Sequence, residues 1–126
     1  MAEYRLVVNG RLPGLNEATA ANRTMAIVGA KQKHEAQNLV ITAIYRQLGR
    51  VRIAKPVSIS CEWIEKNRRR DPDNISSFGL KIILDALVKT KVLADDGWDE
   101  IISFQHSFSV DKKRPRIEIL ITEVEG

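Results

Sequence analysis

The run from Ile75 to Val88, ISSFGLKIILDALV, constrains the fold more than any other stretch of the chain. Ile75, Phe78, Ile82, Ile83, Ala86 and Leu87 recur at helical spacing and make one apolar stripe, which predicts a core-facing helix. Leu80, Leu84 and Val88 widen that stripe well beyond one face, and Ser77, Lys81, Asp85 and Lys89 are left on a narrow polar line. A helix of this kind needs cover on two sides, from its own sheet and from a second subunit. Asp73 or Asn74 is the expected N-cap, with Pro72 holding Asp71 in extended backbone.

Alternating stretches on either side supply a sheet. Tyr4 to Leu12 reads as a first strand, with Tyr4, Leu6 and Val8 alternating with Arg5, Val7 and Asn9, and Val57, Ile59, Cys61 and Trp63 alternate with Ser58, Ser60 and Glu62 in a second. Ile102, Phe104, His106 and Phe108 alternate with Ser103, Gln105 and Ser107 in a third. After a turn through Asp111–Pro115, a fourth runs from Arg116 to Thr122 with Ile117, Ile119 and Ile121 inward. His106, in register with two phenylalanines, reads as a satisfied core or edge histidine, and His34 as a surface residue.

Between the first two strands, Lys31 to Gly49 carries Ala36, Leu39, Val40, Ala43, Ile44 and Leu48 at helical spacing, with Gly49 as C-cap. Pro13 to Gly29 is rich in Gly, Asn, Thr and Ala without a clear period and reads as a long loop. The expected order is βαβαββ: an α/β fold whose mixed sheet of about four strands packs with two main helices. A right-handed crossover makes the first two strands parallel, and the arginine run then follows the carboxyl end of the second.

With 126 residues the chain has room for a single domain, 1–126, around one core. No apolar run approaches the ~20 residues that span a bilayer, and the opening residues lack the order of a signal peptide. A single cysteine, Cys61, and two separated histidines argue for a reduced compartment and against structural zinc. The net charge of +4 suits a polyanionic partner, more so because Glu118, Glu123 and Glu125 gather acid near the C-terminal end and leave other surfaces more basic.

The chemistry concentrates at the two ends of the apolar run. Lys66, Arg68, Arg69 and Arg70 lead directly into Asp71 and Asp73, and Asp95-Asp96 closes the far end. Clustered carboxylates repel unless a divalent cation lies between them. Taken singly, each pair has a plainer use: Asp-x-Asp-Asn caps a helix, and Asp-Asp-Gly makes a turn. Taken together beside the arginines they point to magnesium and phosphodiester hydrolysis, in which the metal activates water and takes up charge on the phosphate. Neighbours in extended chain point oppositely, so one of Asp95 and Asp96 faces such an ion. An unbroken helix would hold Asp73 and Asp95 about 30 Å apart, so the helix must stop near Lys89 and Thr90–Ala94 must double back.

The ordered set Arg68–Arg70, Asp71-Pro72-Asp73-Asn74, Lys81, Asp85-Ala86-Leu87 and Asp95-Asp96 resembles the signature of the RusA family of Holliday junction resolvases. Pro13-Gly14-Leu15-Asn16 resembles the P-x-x-N that follows the first strand in that family. The resemblance implies a magnesium-dependent endodeoxyribonuclease, with Mn²⁺ as a possible substitute and no small-molecule cofactor. Its substrate would be the four-way DNA junction, cut by paired nicks, and its form a homodimer in the cytoplasm of a bacterial host, often phage or prophage encoded. Asp71, Asp73 and Asp96 would hold the metal, Lys81 would act at the phosphate, and Arg70 would position DNA, with Arg68, Arg69 and Lys66 beside it.

One departure matters. In the family the lysine follows the second aspartate by about four positions, whereas Lys81 follows Asp73 by eight. If Ile75–Phe78 form a loop or irregular turn, Lys81 opens the helix and reaches a phosphate. If they are helical, Lys81 lies about 12 Å along the axis from Asp73 and pairs with Asp85. Two other readings stay open: a branched-DNA-binding protein without activity, and a metal nuclease with another nucleic-acid substrate.

Overall fold

A computed structural model describes residues 2–24 and 26–125. The elements run β1 (Glu3–Asn9), α1 (Leu15–Thr24), α2 (Ala26–Gln47), β2 (Val57–Glu65), α3 (Pro72–Lys89), β3 (Ile101–Val110) and β4 (Arg116–Glu123). The fold is α/β, and the described residues form one mixed four-stranded sheet in the order β1-β4-β2-β3 and three helices. β4 pairs antiparallel with both β1 and β2, and β2 pairs parallel with β3. β1 and β2 do run in the same direction, as a right-handed crossover requires, but β4 lies between them.

The long loop expected from Pro13 to Gly29 is helical over most of its length. Gly14 N–H donates to Glu17 Oε1 (3.3 Å) and Ala18 N–H to Gly14 O (3.0 Å), so the chain turns into α1 directly after the Pro-Gly pair. α2 in turn begins before the expected Lys31. Met25 lies outside the described residues.

One apolar cluster joins all the layers, from Leu6 through Val40, Ile59, Trp63 and Ile83 to Ile121. α3 buries Ile75, Ile82, Ile83, Leu84, Ala86 and Leu87. Gly79 lies close against the sheet, since a Cβ there would lie 2.8 Å from the Trp63 ring. The second flank of α3 is covered by α1 and α2 of the same chain, so its wide apolar surface does not need the second subunit that the pattern suggested. Cys61 is buried among these residues, and burial pushes its thiol up to about 12. No described helix is long and apolar enough to cross a membrane.

The sheet's two edges differ. At β1, the Gln47 side chain accepts from Val7 N–H (2.7 Å) and donates to Val7 O (2.7 Å), covering part of the open edge. At the other edge, β3 is exposed over almost its whole length. Phe104, His106 and Phe108 oppose Ile59, Cys61 and Trp63 and so extend the buried, helix-side face of the sheet, but Phe104 and Phe108 stay exposed. Of the core and edge places open to His106, it takes the edge, and Trp63 Nε1–H donates to its Nδ1.

Candidate functional site

The site is built from the start of α3. Asp71 is the N-cap, with φ −72° and ψ 151°, ahead of the expected Asp73 or Asn74, because Pro72 fixes the first helical position. Its carbonyl accepts the Ile75 N–H (3.0 Å), yet its carboxylate makes no capping bond. Asp73 lies in the first turn, where Asn74 N–H donates to its Oδ1 (2.9 Å) and the helix end favours its negative charge. Both aspartates are exposed.

Asn74 reaches the other way. Its Oδ1 accepts the Asn16 N–H (2.8 Å), and a Cβ on Gly14 would meet its Nδ2 at 2.9 Å. The Pro13–Asn16 segment is thus fastened against the start of α3, a contact its position in the sequence does not disclose.

The basic run divides into two roles. Lys66, Arg68 and Arg69 are exposed. Arg70 is committed to the protein. Its Nε and Nη2 donate to the two oxygens of Glu65 (2.9 Å each), and Nη1 donates to Leu12 O (3.0 Å) and Glu17 Oε1 (2.8 Å). Burial alone would lower the Arg70 pKa, but Glu65 and Glu17 outweigh it and raise it. Glu17, raised by burial, is held below the usual carboxylate range by Arg70 and the Gly14 N–H. Arg11 adds a longer contact to Glu65 at 3.5 Å. The expected DNA-positioning arginine is thus already bonded inside the fold. A cleft of about 260 Å³ opens beside it, lined by Glu65, Arg68, Arg70, Asp71, Ile75 and Phe108 among others.

Lys81 and Asp96 form a second cluster. Residues 75–78 are helical, so Lys81 stands about 12 Å along the axis from Asp73. Its Nζ lies 3.3 Å from Asp85 Oδ1 and 4.0 Å from Asp96 Oδ2. Lys33 lies 3.9 Å from Asp85, and Gln37 Nε2 donates to Asp85 Oδ2 (3.4 Å). The chain does double back as the geometry demanded. α3 ends at Lys89, Lys91 takes φ 65°, and Leu93 N–H returns to Leu87 O (3.2 Å). The return brings Asp96 level with Lys81, two turns short of Asp71 and Asp73.

Within one chain, then, Asp71 and Asp73 are neighbours and Asp96 is with Lys81. Among the described residues no three His, Cys, Asp or Glu side chains are close enough to hold one metal ion. The donor set at the start of α3 fits magnesium in its commoner mode. That ion keeps most of its waters and is held through one or two carboxylates plus substrate phosphate, and the Asp71 carboxylate is not spent on its helix. The set does not fit an ion shared by all three aspartates of one chain.

Sequence reasoning missed Glu65, Arg11, Glu17 and Gln37. Glu65 was within reach, because the parity of Val57, Ile59, Cys61 and Trp63 places it on the buried face of β2. Glu17 had the spacing of a capping box after Gly14. A scan with protein-family models finds no match to this chain, and neither does a search of curated proteins.

Proposed function

We propose that this chain is a magnesium-dependent endodeoxyribonuclease of the RusA type, hydrolysing phosphodiester bonds in branched DNA, in the cytoplasm of a bacterial host. The observation that carries the reading is the Asp71 carboxylate, which stands exposed at the start of α3 with no capping bond, beside Lys66, Arg68 and Arg69. Asp71 and Asp73 would hold the ion, which when bound supplies a water of lowered pKa and a sink for phosphate charge.

The exposed Lys66, Arg68 and Arg69 would contact phosphates, which fixes DNA in place without reading its sequence and so suits recognition by shape. Arg70 serves the site by holding Glu65 and Glu17 and so fixing the loop from which Asp71 emerges. Lys81, held by Asp85 and Asp96, would meet a phosphate farther along the strand. A junction offers two symmetry-related strands, so paired cutting needs two copies of the chain about a two-fold axis.

The separation of Lys81 and Asp96 from Asp71 and Asp73 favours a second reading, a branched-DNA-binding protein that does not cut. The test is a synthetic four-way junction and a linear duplex of the same sequence, each incubated with and without Mg²⁺. Nicks confined to the junction and dependent on the metal support the nuclease. A shift of the junction in a gel without nicks supports the second reading, and neither shift nor nicks defeats both.

A further inference from the structure

We propose that the cleft beside Asp71 is a pocket for one unpaired nucleobase, turned out of a DNA strand next to the phosphate held at Asp71. The first reason is shape and lining. Two elements supply its apolar surface: Pro72 and Ile75 at the start of α3, and Phe108 and Val110 near the end of β3. Ile75 is buried, whereas Phe108 is 39% exposed and Val110 47%, so apolar surface is left open at the mouth. The volume of about 260 Å³ lies under the roughly 300–1,000 Å³ of pockets for drug-sized ligands, which suits one ring system and not a base pair. An aromatic wall offers a stacking partner that any base can use.

The second reason is the set of polar groups left over at the lining. Glu65 and Arg70 also face the cleft, but they are spent on each other. Asn67 is not: its Oδ1 accepts the Arg69 N–H (3.0 Å), while its amide NH₂ has no acceptor among the described residues. The Arg68 guanidinium is exposed and likewise makes no hydrogen bond or ion pair among them. Such donors suit the acceptor atoms that every base carries on its edges. Inside a duplex the pairing edges are occupied and the faces are stacked, so a pocket of this kind takes a base that has left the helix.

The third reason is charge. Lys66, Arg68 and Arg69 are exposed and unpaired, whereas Arg11, Arg70 and Arg116 are each held by a carboxylate of the fold. A run of free cations beside an apolar cleft fits a ligand with phosphates on both sides of its base, which a DNA strand has and a free mononucleotide lacks. Asp71 lines the same cleft, so a base held there belongs to a nucleotide adjoining the phosphate at the metal. Turning a base out costs least where pairing is already broken. The cleft thus supplies a physical ground for preferring branched or distorted DNA to a plain duplex.

The inference rests on the nucleic-acid reading above, but its test reads affinity in EDTA and not cleavage, so either can fail while the other holds. The probes are two fluorescein-labelled duplexes of one sequence, each with a single unpaired nucleotide at its middle. In one probe that nucleotide carries adenine, and in the other it is abasic. Fluorescence anisotropy with the full chain should show the adenine probe bound about tenfold more tightly. Phe108→Leu should remove most of that difference, and Phe108→Tyr, which keeps an aromatic face, should retain it. Phe104→Leu, exposed on the same strand but outside the cleft, should retain it too. Affinity for the abasic probe should stay at the wild-type value in all three, which shows that each is folded. Deoxyadenosine monophosphate in excess should not displace the adenine probe. Equal affinity of the wild type for the two probes, or no binding of either, would overturn the inference. So would a preference that survives Phe108→Leu, one that is lost with Phe104→Leu or Phe108→Tyr, or displacement by the mononucleotide.

Discussion

Arg70 holds Glu65 through two parallel hydrogen bonds of 2.9 Å, at the junction between the end of β2 and the loop that delivers Asp71. The pair is nearly out of solvent, with 11% and 8% of the two side chains exposed, and it is tied further to Glu17 of α1. One arginine therefore joins strand, loop and first helix. In the proposed function, the DNA-positioning role that its place in the motif suggested would fall to its exposed neighbours Lys66, Arg68 and Arg69.

Removing that guanidinium should be expensive. Arg70→Ala leaves Glu65 buried with only the longer Arg11 contact, and breaking a buried pair costs about 3–5 kcal/mol. Arg70→Lys should recover only part of this, since an ammonium cannot reproduce the planar fork. Urea unfolding of the three proteins checks it. Equal midpoints for Arg70→Ala and the wild type would show that the pair contributes nothing.

Gly79→Ala should destabilise despite alanine's better helix propensity. The added methyl would lie 2.8 Å from the Trp63 ring, deep between α3 and the sheet. Overpacking of this kind costs about 1–3 kcal/mol, against about 1 kcal/mol that alanine returns to a helix interior. A lowered thermal midpoint is expected. A raised one would mean that Trp63 yields freely.

His106 gives a pH dependence with a definite sign. Trp63 Nε1–H donates to His106 Nδ1 (3.0 Å), so Nδ1 is an acceptor and the ring is neutral. Burial holds the folded pKa below the ordinary value of 6.5. On acidification the unfolded chain binds the proton first, so the stability from this group is present above 6.5 and is lost as the pH falls from 6.5 toward the folded value. Proton NMR of the imidazole should give a midpoint below 6.5, and a midpoint at or above it would contradict the Trp63 bond.

What the sequence discloses follows the range of its signals. Strand parity and the apolar helix depend on neighbours, and β2 and β4 lie where period and breakers put them, while β1 stops at Asn9, short of the expected Leu12, and α3 starts earlier than its expected cap. α1 was hidden because Pro13 and Gly14 read as a turn, while the Glu17 contact that starts the helix is a single bond. Strand order was illegible: nothing local tells β4 to insert between β1 and β2. The exposure of Phe104 and Phe108 was hidden too, since an edge strand and a covered one carry the same alternation. At the site, the doubling back after Lys89 follows from helix length alone. Where Asp96 would land depended on packing, and it landed at Lys81.

The most direct test of the proposed chemistry is Asp71→Asn on a four-way junction with Mg²⁺. The Asp71 carboxylate makes no cap bond, so the variant should fold as the wild type does and still shift the junction in a gel. Its rate of nicking should fall by about 100-fold or more, because a neutral amide is a poor ligand for magnesium. Cutting by Asp71→Asn at the wild-type rate, under the same metal and with the same substrate bound, would contradict the account.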